Sequence, residues 1–330
     1  MRGLLARAFE VAAPLVLSAA MLAAALAPWV APYAIDDRFP QLLHAPPTRI
    51  HVRDHEGRWH RPFIHQWRRL SQMEQIYEVD QSTPVPLEWF SRGRLVGSRE
   101  PAVAPLLLLG TDAYGRDVFS RLLFGARTSL GLALVAATGA LVLGGLIGGA
   151  AGFAGGVWDD VLMRTSDAVL VLPTTYIVLA LRSVTPLVLS SQAVFALLAG
   201  IFSVIGAPVI ARAVRGVVRA ECRLDYATAA VSLGAGPWRV LVRHLLPAAH
   251  GIVTVELMTL VPAFVMAEAT LSYVGFGFPD EVASWGTMLH DAASVRAFSD
   301  FPWLLSPAVA MFAVVLGLNL FHRQRVSLPS

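Results

Sequence analysis

The sequence predicts an all-α integral membrane protein with six transmembrane helices and one small water-exposed insertion of mixed or β character. Three observations carry that prediction. Hydrophobic residues make up 55% of the 330 residues and mean hydropathy is +0.59, too apolar for an ordinary soluble domain. Charged residues are only 15%, and 24 of the 49 lie between Asp36 and Arg127, 11 of them acidic and 13 Arg. The rest of the chain falls into six apolar runs separated by short breaks rich in Gly, Pro or Arg. The net charge of +3 is small and sits in loops, which suits orientation in a membrane and not nucleic-acid binding.

The first run spans Val11 to Val30, after Arg2 and Arg7. Ala25-Leu26-Ala27 resembles a signal-peptide cleavage site, but Pro28 follows at once and the run is long enough to span, so it reads as an uncleaved anchor. The second run, Ser129 to Ala151, puts Gly144 and Gly148 on one helix face and Gly145 and Gly149 on another. Such spacing lets helices approach closely in lipid. Gly155 to Asp160, then Arg164, reads as a short inner loop. The third span runs from Asp167 to Leu181 with a kink at Pro173, and Arg182 to Ser190 is an outer turn. The fourth, Gln192 to Val214, is interrupted at Gly206-Ala207-Pro208. The fifth, Ile252 to Val274, carries Pro262. The sixth, Trp303 to Leu320, ends at Arg323 and Arg325. Six spans starting inside leave both termini inside, and the Arg-rich short loops agree. The long segment from Asp36 to Arg127 is exempt, because long loops translocate regardless of charge.

Within the insertion, Ile50 to Ile64 reads as a hairpin with its turn at Asp54 to Gly57 and Trp59 resuming the strand. Five of the nine His lie nearby: His44, His51, His55, His60 and His65. No Cys and few carboxylates complete a ligand set, so they read as solvated polar faces and no metal site is assigned.

Three segments carry motif character. Gly110 to Arg127 starts with Thr111 or Asp112 as a helix cap and continues as an Arg-dotted amphipathic stretch along the outer interface. Asp112, Arg116, Asp117 and Arg121 are expected to pair with one another and brace the helices. Asp225 to Pro247, DYATAAVSLGAGPWRVLVRHLLP, lies between two apolar runs. Asp225 is read as a helix cap, Tyr226 to Leu233 as two turns, and Gly234 as a left-handed stop. Tyr226, Ala229, Ala230 and Leu233 share one face, and Pro247 starts the next helix. Arg212, Arg215, Arg219, Arg223, Arg239 and Arg243 surround it against Glu221 and Asp225, which places this loop on the cytoplasmic side. Finally, Glu256 and Glu268 stand within the fifth span, where ionisable groups are costly and often functional. Glu256 is read as reaching interfacial water near the inner end. Glu268 is read as ordering the loop that follows or lining the pathway.

These segments resemble a family. Ala229-Ala230-xxx-Gly234 followed by Leu246-Pro247 is similar to the "EAA" loop of ABC importer membrane subunits. Gly110-Thr111-Asp112-xx-Gly115-Arg116-Asp117 through Arg121 resembles the lead-in of the dipeptide/oligopeptide/nickel permease branch, in its C-type subunit. Glu268-xxx-Ser272-xx-Gly275-x-Gly277, then Ser284-Trp285-Gly286, resembles that branch's late motif. The resemblance covers roughly 106–325. It implies the type I ABC importer permease fold, with 1–35 as N-terminal tip and first span, 36–105 as extracytoplasmic insertion, 106–325 as a five-span core holding the coupling loop 212–247, and 326–330 as a tail. It also implies a bacterial inner-membrane location, a second homologous permease, one or two ATPase subunits, a substrate-binding protein that could dock on the insertion, and peptide, nickel or a related small solute as cargo. The family usually has Glu where this chain has Thr228, which removes a charge from the dock.

Composition closes other routes. All 26 basic residues are Arg, and a phosphate-binding P-loop requires Lys, so no cofactor is expected in this chain, and ATP and Mg belong to partner ATPases. The single Cys222 excludes an internal disulfide, and no catalytic residue is assigned. A self-contained carrier would show inverted repeats and broken polar helices. An intramembrane enzyme would need paired acids, a His cluster or a Ser/Lys pair at membrane depth. The sequence shows no convincing internal repeat, Asn319 is its only Asn, it has no Lys, and its apolar runs hold no His pair.

Overall fold

A computed structural model describes the chain except residues 1, 55–56, 72–74, 92, 172, 174–175, 178–179, 181–188, 294–298 and 328–330, with side chains described only within 14–321. It divides into two compact units. One comprises 15–130 and 272–314, the other 1–14, 131–271 and 315–330.

In the first unit, α1 (Arg2–Val30) stops just before Pro32, whose ring disfavours helical backbone at the residue before it. The freed carbonyls of its last turn are taken up by the insertion: Leu95 N donates to Trp29 O at 2.7 Å and Arg94 Nη1 to Ala31 O at 3.2 Å. The insertion is a four-stranded antiparallel meander, β1 (His51–Arg53), β2 (Trp59–Arg69), β3 (Tyr77–Trp89) and β4 (Val96–Ser98), in that spatial order. The turn between β1 and β2 is closed by Asp54, whose Oδ1 accepts from Arg58 N at 2.9 Å. Strand alternation sends Ile64, Val85 and Leu87 to one face, where they pack with Ala104 and Leu106. The sequence reading found the hairpin but not β3 and β4, because Pro84 and Pro86 interrupt the pattern of β3.

In the second unit, α2 (Val118–Ala154) packs closely on α4 (Ser191–Glu221). A Cβ at Gly144 would meet Ala207 O at 2.5 Å. One at Gly148 would collide with the Ala211 carbonyl, and one at Gly152 would lie 2.9 Å from Arg215 O. Gly145 has nothing within 4 Å. The 144/148/152 face is therefore the seam, and backbone meets backbone across it. Gly206 sits 2.8 Å, by its absent Cβ, from Phe264 and 3.0 Å from Ala140.

Several sequence expectations are corrected. The break expected over 155–160 is confined to Gly155 and Gly156, both with positive φ, and α3 runs Gly156–Val171. The expected kink at Pro173 falls among residues 172 and 174–175, which lie outside the described residues. Most of 172–188, including the end of the expected third span and the outer turn, lies outside the described residues. Gly206-Ala207-Pro208 does not interrupt α4, which is continuous through Pro208, since a helix tolerates one missing N–H when neighbouring helices pack the site. The fifth span starts far earlier than expected. One helical run extends from α6 (Pro237–Val240) through a π turn (Leu241–Leu245) and a 3-10 turn (Leu246–Ala249) into α7 (His250–Tyr273). Pro237 supplies the N-terminal proline, while Pro247 sits inside the run. Lacking an N–H, Pro247 forces the irregular turns around it.

After α7 come a short helix α8 (Trp285–Asp291) and α9 (Ser306–Ser327). Among the described residues, four helical stretches are long and apolar enough to cross a membrane: Val118–Ala154, Ser191–Glu221, Pro237–Tyr273 and Pro302–Phe321. The apolar part of α1, Pro14–Val30, is shorter. They match the second, fourth, fifth and sixth expected spans.

The seam gives a test. Gly148→Ala should destabilise the detergent-solubilised chain by about 1–3 kcal/mol through overpacking, whereas Gly145→Ala should leave the thermal unfolding midpoint unchanged or raised. Equal midpoints for the two variants would remove the seam.

Candidate functional site

The first candidate is the segment between α4 and α6. The apolar-charged boundary lets α4 run on to Glu221, so Arg212, Arg215 and Arg219 belong to that helix and not to a loop, which corrects the sequence reading. Arg215 grips Asp159 of α3 with both Nε and Nη2, Arg219 Nη1 reaches Asp159 Oδ2 at 2.8 Å, and Arg212 Nη2 reaches Asp167 Oδ1 at 2.8 Å. Asp159 is buried, and these bonds, chiefly from Arg215, hold its carboxyl below the usual range. The signal was available as Arg at i, i+3 and i+7 along one helix, which demands an acid on the facing element. Arg223, Arg239 and Arg243 remain exposed.

Helix α5 (Asp225–Ser232) then stands out. Its N-cap is Leu224, with no side-chain cap bond, so Asp225 is the first helical residue and acts through the helix dipole. Thr228 Oγ1 donates to Asp225 O at 2.9 Å. The C-terminus closes as a Schellman motif: Ala235 N donates to Ala230 O at 3.0 Å and Gly234 N to Val231 O at 2.9 Å, with Gly234 at φ 82°. Ala227 faces inward and is buried. Ala230 is half-buried, while Tyr226, Ala229 and Leu233 are exposed, Leu233 by 89%. Leu224, Val231 and Trp238 are exposed too. The result is a short, rigid, apolar stub. Tyr226 Oη donates to Glu221 Oε2 at 2.5 Å, and this bond pushes the phenol up to about 12. Leu246 is half-buried and Pro247 exposed within the irregular helical turns.

The second candidate surrounds Arg116. Gly110 and Gly115 both have positive φ, and a Cβ on either would strike backbone, Ala45 O and Phe39 O respectively. Thr111 is buried; Ala45 N donates to its Oγ1 at 2.8 Å. The stretch 111–117 is a tight turn and not a helix. Asp112 Oδ1 accepts from Tyr114 N at 2.8 Å and Arg116 N at 2.9 Å. The true cap is Asp117, whose Oδ2 accepts from Ser120 N at 2.8 Å; this corrects the assignment to Thr111 or Asp112. The amphipathic stretch that follows is the opening of α2 itself and not a separate interfacial helix.

Arg116 is nearly fully buried. Its Nε donates to Asp112 Oδ2 at 2.6 Å, its Nη2 to Asp291 Oδ2 at 2.7 Å and its Nη1 to Asp280 O at 3.1 Å. Arg121, 2% exposed, lies 3.8 Å from both carboxylates. Asp117 therefore does not join the pairing expected of it, and Asp291, which the sequence reading missed, does. Burial, with the like charge of Asp112, raises the Asp117 carboxyl to about 7 against the hydrogen bonds from Ser120.

The late motif is built beside it. Gly275 has φ 86° and closes a turn onto Ser272 O at 3.1 Å. Ser272 Oγ accepts from Phe278 N at 3.2 Å, and a Cβ at Gly277 would sit 2.6 Å from Ser272 Cα. Ser284 caps α8 in a reciprocal box with Thr287. Trp285 is buried; its N donates to Ser129 Oγ at 3.1 Å and its Nε1 to Leu122 O at 3.2 Å, while buried Gly286 lets α8 lie close. On α7, Glu268 is fully buried and Glu256 half-buried. Among the described residues, no three His, Cys, Asp or Glu come together as a metal site.

A profile of the family described as "Binding-protein-dependent transport system inner membrane component" matches residues 140–323. The chain belongs to this family. Among relatives of this permease, the oligopeptide transport system permease protein OppC of Bacillus subtilis is 36% identical over 218 residues, 64% of this chain and 67% of the relative. The glutathione transport system permease protein GsiD of Pectobacterium atrosepticum is 32% identical over 212 residues, 64% and 68% of the two chains. The dipeptide transport system permease protein DppC of Bacillus subtilis is 36% identical over 211 residues, 64% of each.

Asp117 gives the permease a pH signature. Its folded-state carboxyl holds a proton up to about pH 7, whereas the unfolded one releases it near 3.8. Between those values the native state binds more protons, so stability falls as pH rises from about 4 to 7. Asp117→Asn keeps a cap-competent oxygen and should abolish this part of the slope, gaining roughly 3–4 kcal/mol on wild type across that window. Parallel pH–stability curves for the two proteins would refute the assignment.

Proposed function

We propose that this permease is the C-type membrane subunit of an ATP-driven importer for peptides, and that α5 is the point at which ATPase subunits move it. The carrying observation is the exposed, Schellman-closed stub with Leu233 at its tip. A two-turn helix with a fixed end and an apolar face fits a groove on a soluble partner. Because it is joined to α4 and to the run from Pro237 to Tyr273, a push on it is delivered to two membrane-length helices, which is the mechanical requirement of alternating access. Thr228 donates inward to the backbone, so the dock is held by shape and apolar contact and not by a carboxylate at that position. The motif residues around Arg116 and Trp285 brace the outer ends of α2 and α8. ATP and Mg are handled by the partner ATPases.

A second homologous permease, one or two ATPases and a substrate-binding protein complete the assembly in the bacterial inner membrane. Both termini and α5 face the cytoplasm, and the β meander faces outward. The relatives' names favour peptides; nickel or another small solute is the second reading, which rests on the resemblance of the 110–121 and 268–286 motifs to the dipeptide/oligopeptide/nickel branch. A self-contained carrier or channel would have to work without the ATPases.

Leu233→Asp should leave assembly in the membrane intact, because the side chain contacts solvent, yet lower both transport and transport-coupled ATPase turnover in the reconstituted complex by about tenfold or more. Unchanged rates would sink the docking role. Sidedness rests on Cys222 at the end of α4. Burial raises its thiol above the usual range, so labelling is best read at pH near 9. A membrane-impermeant maleimide should modify it in inverted vesicles and not in intact cells; the opposite pattern would reverse the topology.

A further inference from the structure

The β meander has a second face, where Phe63 is buried and Trp67 packs partly against the cluster of Tyr33, Leu42, Ala45 and Leu107. Ile64, Val85 and Leu87 point to the core. Phe63, His65 and Trp67, which alternate with Ile64 on β2, line a cleft of about 710 Å³, within the size range of small-molecule sites. Residues of β1 line it too, as do Val79 and Gln81 of β3, which share that face because the β2–β3 register shifts between Ile64 and Gln66. Its floor is aromatic. The His51 ring stacks on Phe63 with centroids 5.7 Å apart, His65 meets His51 edge-on at 5.1 Å, and Trp67 continues the row. Its rim on the β1 side is cationic, with exposed Arg49 and Arg53. Arg53 lies over the Trp59 ring at 4.2 Å, which holds its guanidinium in place.

The acids are placed elsewhere. Among the described residues, Asp54 is the one acid lining the cleft, and it is engaged by Arg58 N at 2.9 Å and His60 Nε2 at 2.8 Å. Glu78 and Asp80 fall on the other parity of β3 from Val79 and Gln81. The cleft thus presents an excess of fixed donors beside apolar rings. A guanidinium pair binds carboxylate in a planar, two-bond geometry, and the aromatic floor rewards an apolar side chain attached to it. A bare phosphate or a lipid headgroup would use the rim and leave the floor uncovered.

We infer that this cleft is a binding site for small carboxylates carrying an apolar side chain, namely the C-terminal end of a peptide. The inference rests on the peptide-import reading and adds to it a recognition site on the permease itself. The guanidinium groups of Arg49 and Arg53 hold the carboxylate, and Phe63 and Trp67 cover the terminal side chain.

The test uses the full chain in nanodiscs of neutral lipid, with binding of Ala-Phe followed by calorimetry. Saturable binding is expected, weakened about tenfold or more for the C-terminal amide and for Arg49→Gln/Arg53→Gln. The control Arg68→Gln, on the opposite parity of β2, should bind as wild type. If the double variant fails to fold, judged by its thermal unfolding, Arg49→Gln alone, an exposed position outside any strand, carries the comparison. Inorganic phosphate should compete weakly, and adding phosphatidylglycerol to the nanodisc should not displace the peptide. Equal affinity for acid and amide, competition by phosphate or anionic lipid at matching concentrations, or no saturable binding would each overturn the site. Peptide uptake by the assembled transporter is measured in parallel. Uptake without cleft binding ends this inference alone, and cleft binding without uptake ends the import reading alone.

Discussion

The Arg116 guanidinium is the constraint on which the first unit depends. It is buried between Asp112 of the turn before α2 and Asp291 at the end of α8, and it also donates to the carbonyl of Asp280. A buried charge is tolerated only when its donors are matched. Here the matching groups come from two stretches of chain more than 160 positions apart. Meeting that requirement fixes the start of α2 against the loop and helix that follow α7. Trp285 then reaches Ser129 and Leu122 from the same side, so the late motif and the early one form one brace. Arg121 adds a second cation at longer range, while burial raises the carboxyl of Asp117, which stands outside the pairing.

An analogous device serves the second unit. Asp159 near the start of α3 is held by Arg215 and Arg219 near the end of α4. It lies next to the helix end that presents Cys222 and α5. Ion pairs at both candidate sites therefore tie helix ends to facing elements. The glycine seam between α2 and α4 does the same by close backbone approach. In this permease the buried charges are paired, and the apolar stub is exposed.

Much of this was legible in the residues. The apolar runs at Ser129, Gln192, Ile252 and Trp303 all became membrane-length helices. Gly234 adopted the left-handed conformation that its place after an alanine-rich octet requires, and Asp54 to Gly57 made a turn. Other features were misplaced by a few residues for local reasons. Asp117 outcompeted Asp112 as cap because Asp112 is consumed by the amides of its own turn. Pro208, buried among its neighbours, did not break α4, and Pro247 did not begin a helix because the run had already started at Pro237 and passes it in irregular turns.

What the sequence determined is whatever depends on neighbours a few positions away: apolar length, turn chemistry, the left-handed stop at Gly234, and the motifs that mark the family. What only the tertiary structure decided are pairings across long separations, Asp291 with Arg116, Arg215 with Asp159, and His65 beside His51 on one sheet face. The physical reason is range. Backbone hydrogen bonds and side-chain periodicity act within a turn or two of chain, whereas burial of a charge selects its partner by position in space, and that position exists only after the helices and strands have packed.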